Sequence, residues 1–155
     1  MSARRWQPER LDRNRYPGPG MDLPVFYGDL DTNGHVNNVA FGRFFEHSRY
    51  TAHRSLDIGG LLAREGRQLL VARVSINYLA EAHFGQHLHV RTRTGSFGRA
   101  SVAEEQAAWQ GETCVALSDV VLVFAGDGTA QPVSDDLRAL LATMSVGDDA
   151  SDRAP

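Results

Sequence analysis

The chain of 155 residues has a single cysteine, Cys114, so no internal disulfide can form. Cys114 lies in an apolar, strand-like run, which suits a buried thiol better than a nucleophile. No stretch of about 18 apolar residues occurs, so no membrane span and no membrane partner are expected. Arg4 and Arg5 are not followed by the apolar core that a secretory signal needs, and a cytoplasmic protein is the expectation. Charge of one sign is scarce. The formal net charge is −3 with no basic stripe, which argues against a nucleic-acid partner. No H-E-x-x-H, phosphate loop or nucleophile elbow is present. His87 and His89 share a strand face, but no carboxylate or cysteine accompanies them there, so neither a metal site nor a cofactor is expected.

What remains is ordinary globular composition, 42% apolar and 23% charged, at a length that suits one domain. Residues 1–20 are polar, Arg-rich and broken by Pro and Gly. They read as a flexible arm that could pack at Trp6 or Tyr16. Residues 21–145 form the domain, and 146–155 read as a disordered tail. A first strand is expected over Pro24 to Tyr27. Val39 to Leu56 has helical periodicity, with Ala40, Phe41, Phe44, Phe45, Ser48, Ala52 and Leu56 on one face. Arg43, His47, Tyr50 and Arg54 lie on the other face, and Glu46, Arg49 and His53 at its edge. Glu46 and Arg49 are spaced to pair on the helix surface, and Gly42 suggests a close neighbour. After Gly66 the pattern alternates: four strands follow, over Leu69–Tyr78, His87–Thr94, Arg99–Trp109 and Thr113–Ala125, joined by short turns. Ser134 to Met144 reads as a short helix. The fold class is therefore α+β, a long helix with an antiparallel five-stranded sheet. One helix cannot cover both faces of such a sheet, so an oligomer is expected.

The densest polar cluster is at the strand-to-helix junction. Asp29, Asp31, Asn33, His35, Asn37 and Asn38 fall within ten residues around Gly34. Any one of them could simply cap the helix or form the turn. A cap needs one oxygen, however, and this junction offers two carboxylates, an imidazole and three amides. The first N–H groups of a helix lack intrahelical partners, and the helix dipole favours negative charge there.

The run from Asp29 to Asn38, followed by Phe41-Gly42-Arg43-Phe44-Phe45-Glu46-His47-Ser48-Arg49, resembles the D-x-D-x-x-G-H-V-N-N … Y-x-x-Y/F-x-E-x-x-R signature of the 4-hydroxybenzoyl-CoA thioesterase-like, hotdog-fold acyl-CoA thioesterases. Gly98-Arg99-Ala100-Ser101-Val102 is similar to that family's weaker G-R-S-S-V motif. Phe41 replaces a frequent tyrosine and Ala100 a serine. The resemblance implies a hotdog fold, a long helix wrapped by the sheet. It also implies protomers joined sheet edge to sheet edge as a dimer or dimer of dimers (a homotetramer), and a site between subunits at the start of the helix. Asp31 matches the catalytic carboxylate, and Asn38 the residue whose backbone N–H polarises the thioester carbonyl. Asp31-Thr32-Asn33-Gly34-His35 also resembles the D-x-N-x-H run of plant acyl-ACP thioesterases, which extends the catalytic set to Asn33 and His35. Asn37, Phe41, Tyr78, Arg99 and Ser101 are the expected substrate-binding residues.

The implied reaction is hydrolysis of an acyl-CoA thioester to acid and coenzyme A, in lipid metabolism, with acyl-ACP as a further possible substrate. Asp31 can attack directly or serve as general base on water, while helix N–H groups hold the oxyanion. Arg73, Arg91, Arg93 and Arg99 are candidates for the phosphates of coenzyme A. Two other readings share the fold: an enoyl-thioester hydratase or dehydratase with His35 as base, and an acyl-CoA-binding module without chemistry.

Overall fold

A computed structural model describes residues 8–145. Trp6 and the expected tail from residue 146 lie outside the described residues. The elements are β1 (Gly20–Pro24), α1 (Asn38–Ser55), α2 (Ile58–Arg64), β2 (Gln68–Tyr78), β3 (His87–Phe97), β4 (Ser101–Gln110), β5 (Thr113–Gly126), β6 (Thr129–Ala130) and α3 (Asp135–Ala142). The sheet order is β1-β3-β4-β5-β2, all neighbours antiparallel, with the two-residue β6 added on β5. The four strands after Gly66 and the helix between β1 and β2 are where the periodicity predicts them.

The first strand is not. It covers Gly20–Pro24, pairing Gly20 with Arg91 and Pro24 with His87, while Tyr27–Asp29 is a 3-10 turn. Gly, Asp and Pro are poor strand formers, and the ladder to β3 overrides them. Pro24 is tolerated because it ends an outermost strand.

α1 lays Ala40, Phe41, Phe44 and Phe45 onto Leu23, Leu88, Val90, Ala108 and Ala116. Its second half joins α2 and α3 over Val102, Val120, Leu122 and Phe124. Asn37 caps α1 by accepting from the Val39 N–H at 2.9 Å, and Ser134 caps α3 from Leu137 at 3.2 Å.

Two expectations for α1 are corrected. Arg49 does not pair with Glu46 on the surface; it is buried, and its Nη1 donates to Gln106 Oε1 at 3.2 Å. A long side chain at the edge of the apolar face can reach under the helix, which spacing alone does not reveal. Gly42 has no close neighbour, for nothing would lie within 4 Å of a Cβ there. Its face of the helix is open.

From Pro8 onward the arm lies on the outer face of the sheet, the face away from α1, with Tyr16 packed against it. Two 3-10 turns, Pro8–Leu11 and Arg13–Arg15, deliver Tyr16 into a cluster with Ala107, Trp109 and Leu117. Tyr16 is fully buried, its ring is edge-on to Trp109 at 5.6 Å, and its hydroxyl donates to the Arg10 carbonyl at 2.9 Å. Burial pushes its phenol up to about 12. Gly18 is required here, because a Cβ would meet the Thr92 carbonyl oxygen at 2.3 Å. The chain has no lysine, so the arm's cations are all guanidiniums. Arg10 bridges Asp119 at 2.7 Å and Glu105 at 3.7 Å, and Arg15 and Arg93 also reach Glu105.

Candidate active site

The chain enters the junction from β1 and makes a tight reversal at Asp31-Thr32-Asn33-Gly34. The Gly34 N–H donates to the Asp31 carbonyl at 3.1 Å, and the Asp31 N–H to the His35 carbonyl at 2.8 Å. Gly34 has φ +80°, the left-handed region that glycine adopts without strain. The Asp31 carboxylate is held inside this reversal. Its Oδ1 accepts from the Asn33 N–H at 2.8 Å and the His35 N–H at 3.2 Å. Among the described residues, Oδ2 has no protein donor. The local turn thus orients the carboxylate through one oxygen and leaves the other unengaged. Asn33 and His35 contribute backbone N–H groups to this, not their side chains.

A second acidic residue secures the loop to the helix. Asp29 is buried; its Oδ2 accepts from the Phe26 N–H at 2.8 Å, its Oδ1 from the Arg43 guanidinium, and its carbonyl from the Asn37 N–H at 2.8 Å. Asn37 then caps α1, as above. A substrate-binding role for Asn37 therefore competes with a structural one already satisfied.

Asn38 is the first residue of α1. Its carbonyl accepts from the Tyr78 hydroxyl at 3.1 Å, and Phe41 packs edge-on against the Tyr78 ring at 5.5 Å. Among the described residues nothing accepts from the Asn38 N–H, so this donor at the positive end of the helix dipole is free. Asn38, Phe41 and Tyr78 are thus brought together.

The His35 side chain turns away from Asp31. Its Nε2 lies 3.3 Å from Glu81 Oε2, and its ring is perpendicular to His83 at 5.2 Å. The loop carrying Glu81 and His83 is itself anchored. Gln110 exchanges two 2.8 Å hydrogen bonds with the His83 backbone, and the Val36 N–H donates to the Ala82 carbonyl at 2.8 Å. Sequence reasoning missed Glu81, His83 and Gln110, which reach the junction only through sheet pairing. Asp29 was visible in the D-x-D spacing, though its structural task was not.

Arg99 and Ser101 are not part of this constellation within one protomer. Ser101 and Gln110 are opposite ends of β4, a separation of roughly 30 Å for a strand of that length. Of the other candidate phosphate ligands, Arg91 donates to the Arg13 carbonyl at 3.3 Å and Arg93 binds Glu105, both against the arm. His89 lies 2.9 Å from Asp22. Among the described residues no group of three or more His, Cys, Asp or Glu is placed to hold a metal, and no helix is long and apolar enough to cross a membrane.

The β2 side of the site is open. Tyr78 is 49% exposed, and Val39, beside Asn38, is 71% exposed.

Residues 25–141 match the model of the thioesterase-like superfamily. Among solved structures, a Thermus thermophilus thioesterase crystallised with coenzyme A and Zn is similar. The two chains are 26% identical, with a TM-score of 0.75 over 84% of this chain and 95% of that one. Slr0204, a 1,4-dihydroxy-2-naphthoyl-CoA thioesterase from Synechocystis, shares the fold at 16% identity and a TM-score of 0.70, over 79% of this chain and 94% of that one. Among curated proteins no significant match is found. The chain therefore belongs to the thioesterase-like superfamily and has its hotdog fold.

Proposed function

We propose that this protein hydrolyses acyl-CoA thioesters, with Asp31 as the central catalytic group and the Asn38 N–H as the oxyanion donor. The observation that carries the reading is the junction itself. One carboxylate oxygen is pinned by two backbone N–H groups and the other is unengaged, at the entrance to a helix whose first N–H has no acceptor. The neighbour crystallised with coenzyme A supports coenzyme A as the thiol carrier.

Two routes use this geometry. In one, Asp31 Oδ2 attacks the thioester carbonyl, the C–S bond breaks, the thiolate of coenzyme A leaves, and water hydrolyses the resulting mixed anhydride. In the other, Oδ2 takes a proton from a water that attacks the same carbon. Either way negative charge grows on the carbonyl oxygen, where a fixed N–H donor needs no reorganisation.

The site is completed by a second copy of the chain. Among the described residues β2 pairs only on its β5 side, and its Leu70, Val71, Val74 and Tyr78 are each about half exposed. An apolar, unpaired edge is a template for another strand. Antiparallel pairing of β2 with its own copy would bring the Arg99–Ser101 turn of one protomer toward the Asp31 end of the other. That arrangement accounts for the distance between the two motifs within one chain, and it also covers the open face at Gly42.

The test is thiol release from short, medium, long and aromatic acyl-CoAs by wild type and Asp31→Asn, with circular dichroism confirming that both are folded. Wild-type release and a loss of about 10² to 10⁴ in the variant are expected. Equal activity in the two would remove Asp31 from the mechanism. Single turnover in ¹⁸O-water tests the first route, since hydrolysis of the mixed anhydride at the aspartyl carbonyl leaves label in the protein, which the general-base route never does.

A further inference from the structure

The loop between β2 and β3, residues 79–86, abuts the Asp31 reversal. At its start the Val115 carbonyl accepts from the Leu79 N–H at 2.8 Å and the Ala80 N–H at 3.3 Å. Val115 is the extra residue of a β-bulge: Ala108 pairs with Ala116 and Trp109 with Cys114, so Val115 has no partner on β4. A bulge breaks the ladder locally, and here the bulged residue's carbonyl serves the loop. Further along, His83 is bridged antiparallel to His35, and the Val36 N–H donates to the Ala82 carbonyl at 2.8 Å. His35 in turn meets Asp31, whose N–H donates to the His35 carbonyl and whose Oδ1 accepts from the His35 N–H.

Gln110, the last residue of β4, closes this small ladder. Its Oε1 accepts from the His83 N–H and its Nε2 donates to the His83 carbonyl, both at 2.8 Å. A primary amide offers a donor and an acceptor side by side, as a residue of a neighbouring antiparallel strand does. The side chain thus stands in for a further strand, in the order Asp31, His35, His83, Gln110. Gln110 is buried, so water competes little for the two bonds. Glutamate would lack the donor, and asparagine is a methylene shorter. The hairpin that carries Gln110 is braced from the outer face by the arm: the Arg13 guanidinium donates to the Gly111 carbonyl and lies over the Trp109 ring at 5.4 Å.

We propose that Gln110 is a positioning residue for the Asp31 carboxylate. Its amide fixes the His83 backbone, the His83 loop fixes His35, and the His35 N–H pins Asp31 Oδ1. This rests on the thioesterase reading and deepens it. Gln110 does not touch the substrate; it acts through the loop. Without its two bonds the loop recedes from the reversal, the His35 N–H moves with it, and Oδ2 is no longer aimed at the thioester carbonyl. The signature is a loss in kcat at nearly constant KM, because only the reacting group is displaced.

The test compares acyl-CoA turnover by wild type, Gln110→Ala and Gln110→Glu, with thermal melts to confirm the fold. Gln110→Ala should lower kcat about 10²-fold at near-wild-type KM, the cost of misplacing a reacting group by roughly 1 Å. Gln110→Glu keeps the acceptor for the His83 N–H, but as a carboxylate it turns a second acceptor toward the His83 carbonyl. Protonated, it regains the donor. Its kcat relative to wild type should therefore climb between about pH 8 and about pH 5, as a buried carboxyl facing a carbonyl takes up its proton. Asp31, His35, Glu81 and His83 are present in both proteins, so the ratio isolates position 110. An unchanged kcat in Gln110→Ala overturns the proposal, as does a loss confined to KM or a pH-independent ratio for Gln110→Glu. Hydrogen exchange at the His35 and Val36 amides needs no substrate. Gln110→Ala should speed it about tenfold, the scale of a lost hydrogen bond. Exchange as slow as in wild type overturns the proposal. Faster exchange in the variant, with no turnover by wild type, would refute hydrolysis and leave the hold of Gln110 on the Asp31 reversal standing.

Discussion

The two faces of this sheet are finished to different degrees. On the outer face the arm covers the sheet around Trp109: Tyr16 and Trp109 bury each other, and Glu105 and Asp119 are met by Arg10, Arg15 and Arg93. On the helix side, beside β2, less is covered. Among the described residues the outer edge of β2 is unpaired, nothing lies within 4 Å of a Cβ built at Gly42, and Val39 is exposed. The same chain thus uses its N-terminal arm to cover part of one face and leaves the other open. What the contrast teaches is where to look for function: the covered face holds stability, and the open side is where the proposed site and a proposed second copy would lie.

The sharpest way to break the comparison is to charge the β2 edge. The double variant Val71→Lys and Val74→Lys should remain folded, yet lose essentially all thioesterase activity and elute as a monomer in light-scattering chromatography. An active monomer would show that the open side is complete by itself.

On the covered face the expected effect is one of stability. Trp109→Ala should cost about 3 to 5 kcal/mol in denaturant unfolding, since Trp109 is 1% exposed and its Nε1 donates to the Leu11 carbonyl at 3.3 Å. The oligomeric state should not change. If it does, the arm also shapes the assembly.

A smaller effect follows from the titrating groups beneath the arm. Burial raises the Tyr16 phenol to about 12 and the Cys114 thiol to about 11, from 10.0 and 9.0. In both cases the folded state holds its proton longer than the unfolded one, so stability is intact below about pH 9 and declines as pH rises above it. Melting temperatures between about pH 8 and 11 should fall in wild type and fall less in Tyr16→Phe. A flat profile in wild type would mean the arm does not shield these groups. The smallest change expected is Asn37→Ala, about 1 kcal/mol for a lost helix cap. If it instead abolishes turnover while the fold is retained, Asn37 serves the substrate as well as the helix.

Much of this was legible in the residues. Alternation over His87–Thr94 marked Leu88, Val90, Thr92 and Thr94 as the buried set, and all four are at most 1% exposed. Spacings of three and four located α1 to within a residue at each end. Asp31, Gly34 and Asn38 stood out because a turn with positive φ followed by a capped helix is a local event, written in consecutive residues. The junction's family signature was legible for the same reason. Periodicity, by contrast, could not find β1 in Gly20–Pro24, the arm's docking, or the burial of Arg49, because each depends on partners far away in the chain.

The sequence by itself determined the element types, their order, and the local geometry that orients the Asp31 carboxylate. These rest on short-range sterics and backbone hydrogen bonds between near neighbours. Only the tertiary structure decided that Tyr78 meets Asn38, that Glu81 claims His35, that Arg99 and Ser101 are a strand's length from Asp31, and that Arg49 is buried against Gln106. The physical reason is that burial and long-range pairing depend on strand register and on which helix face turns inward. A single residue's identity constrains neither until the whole core is packed.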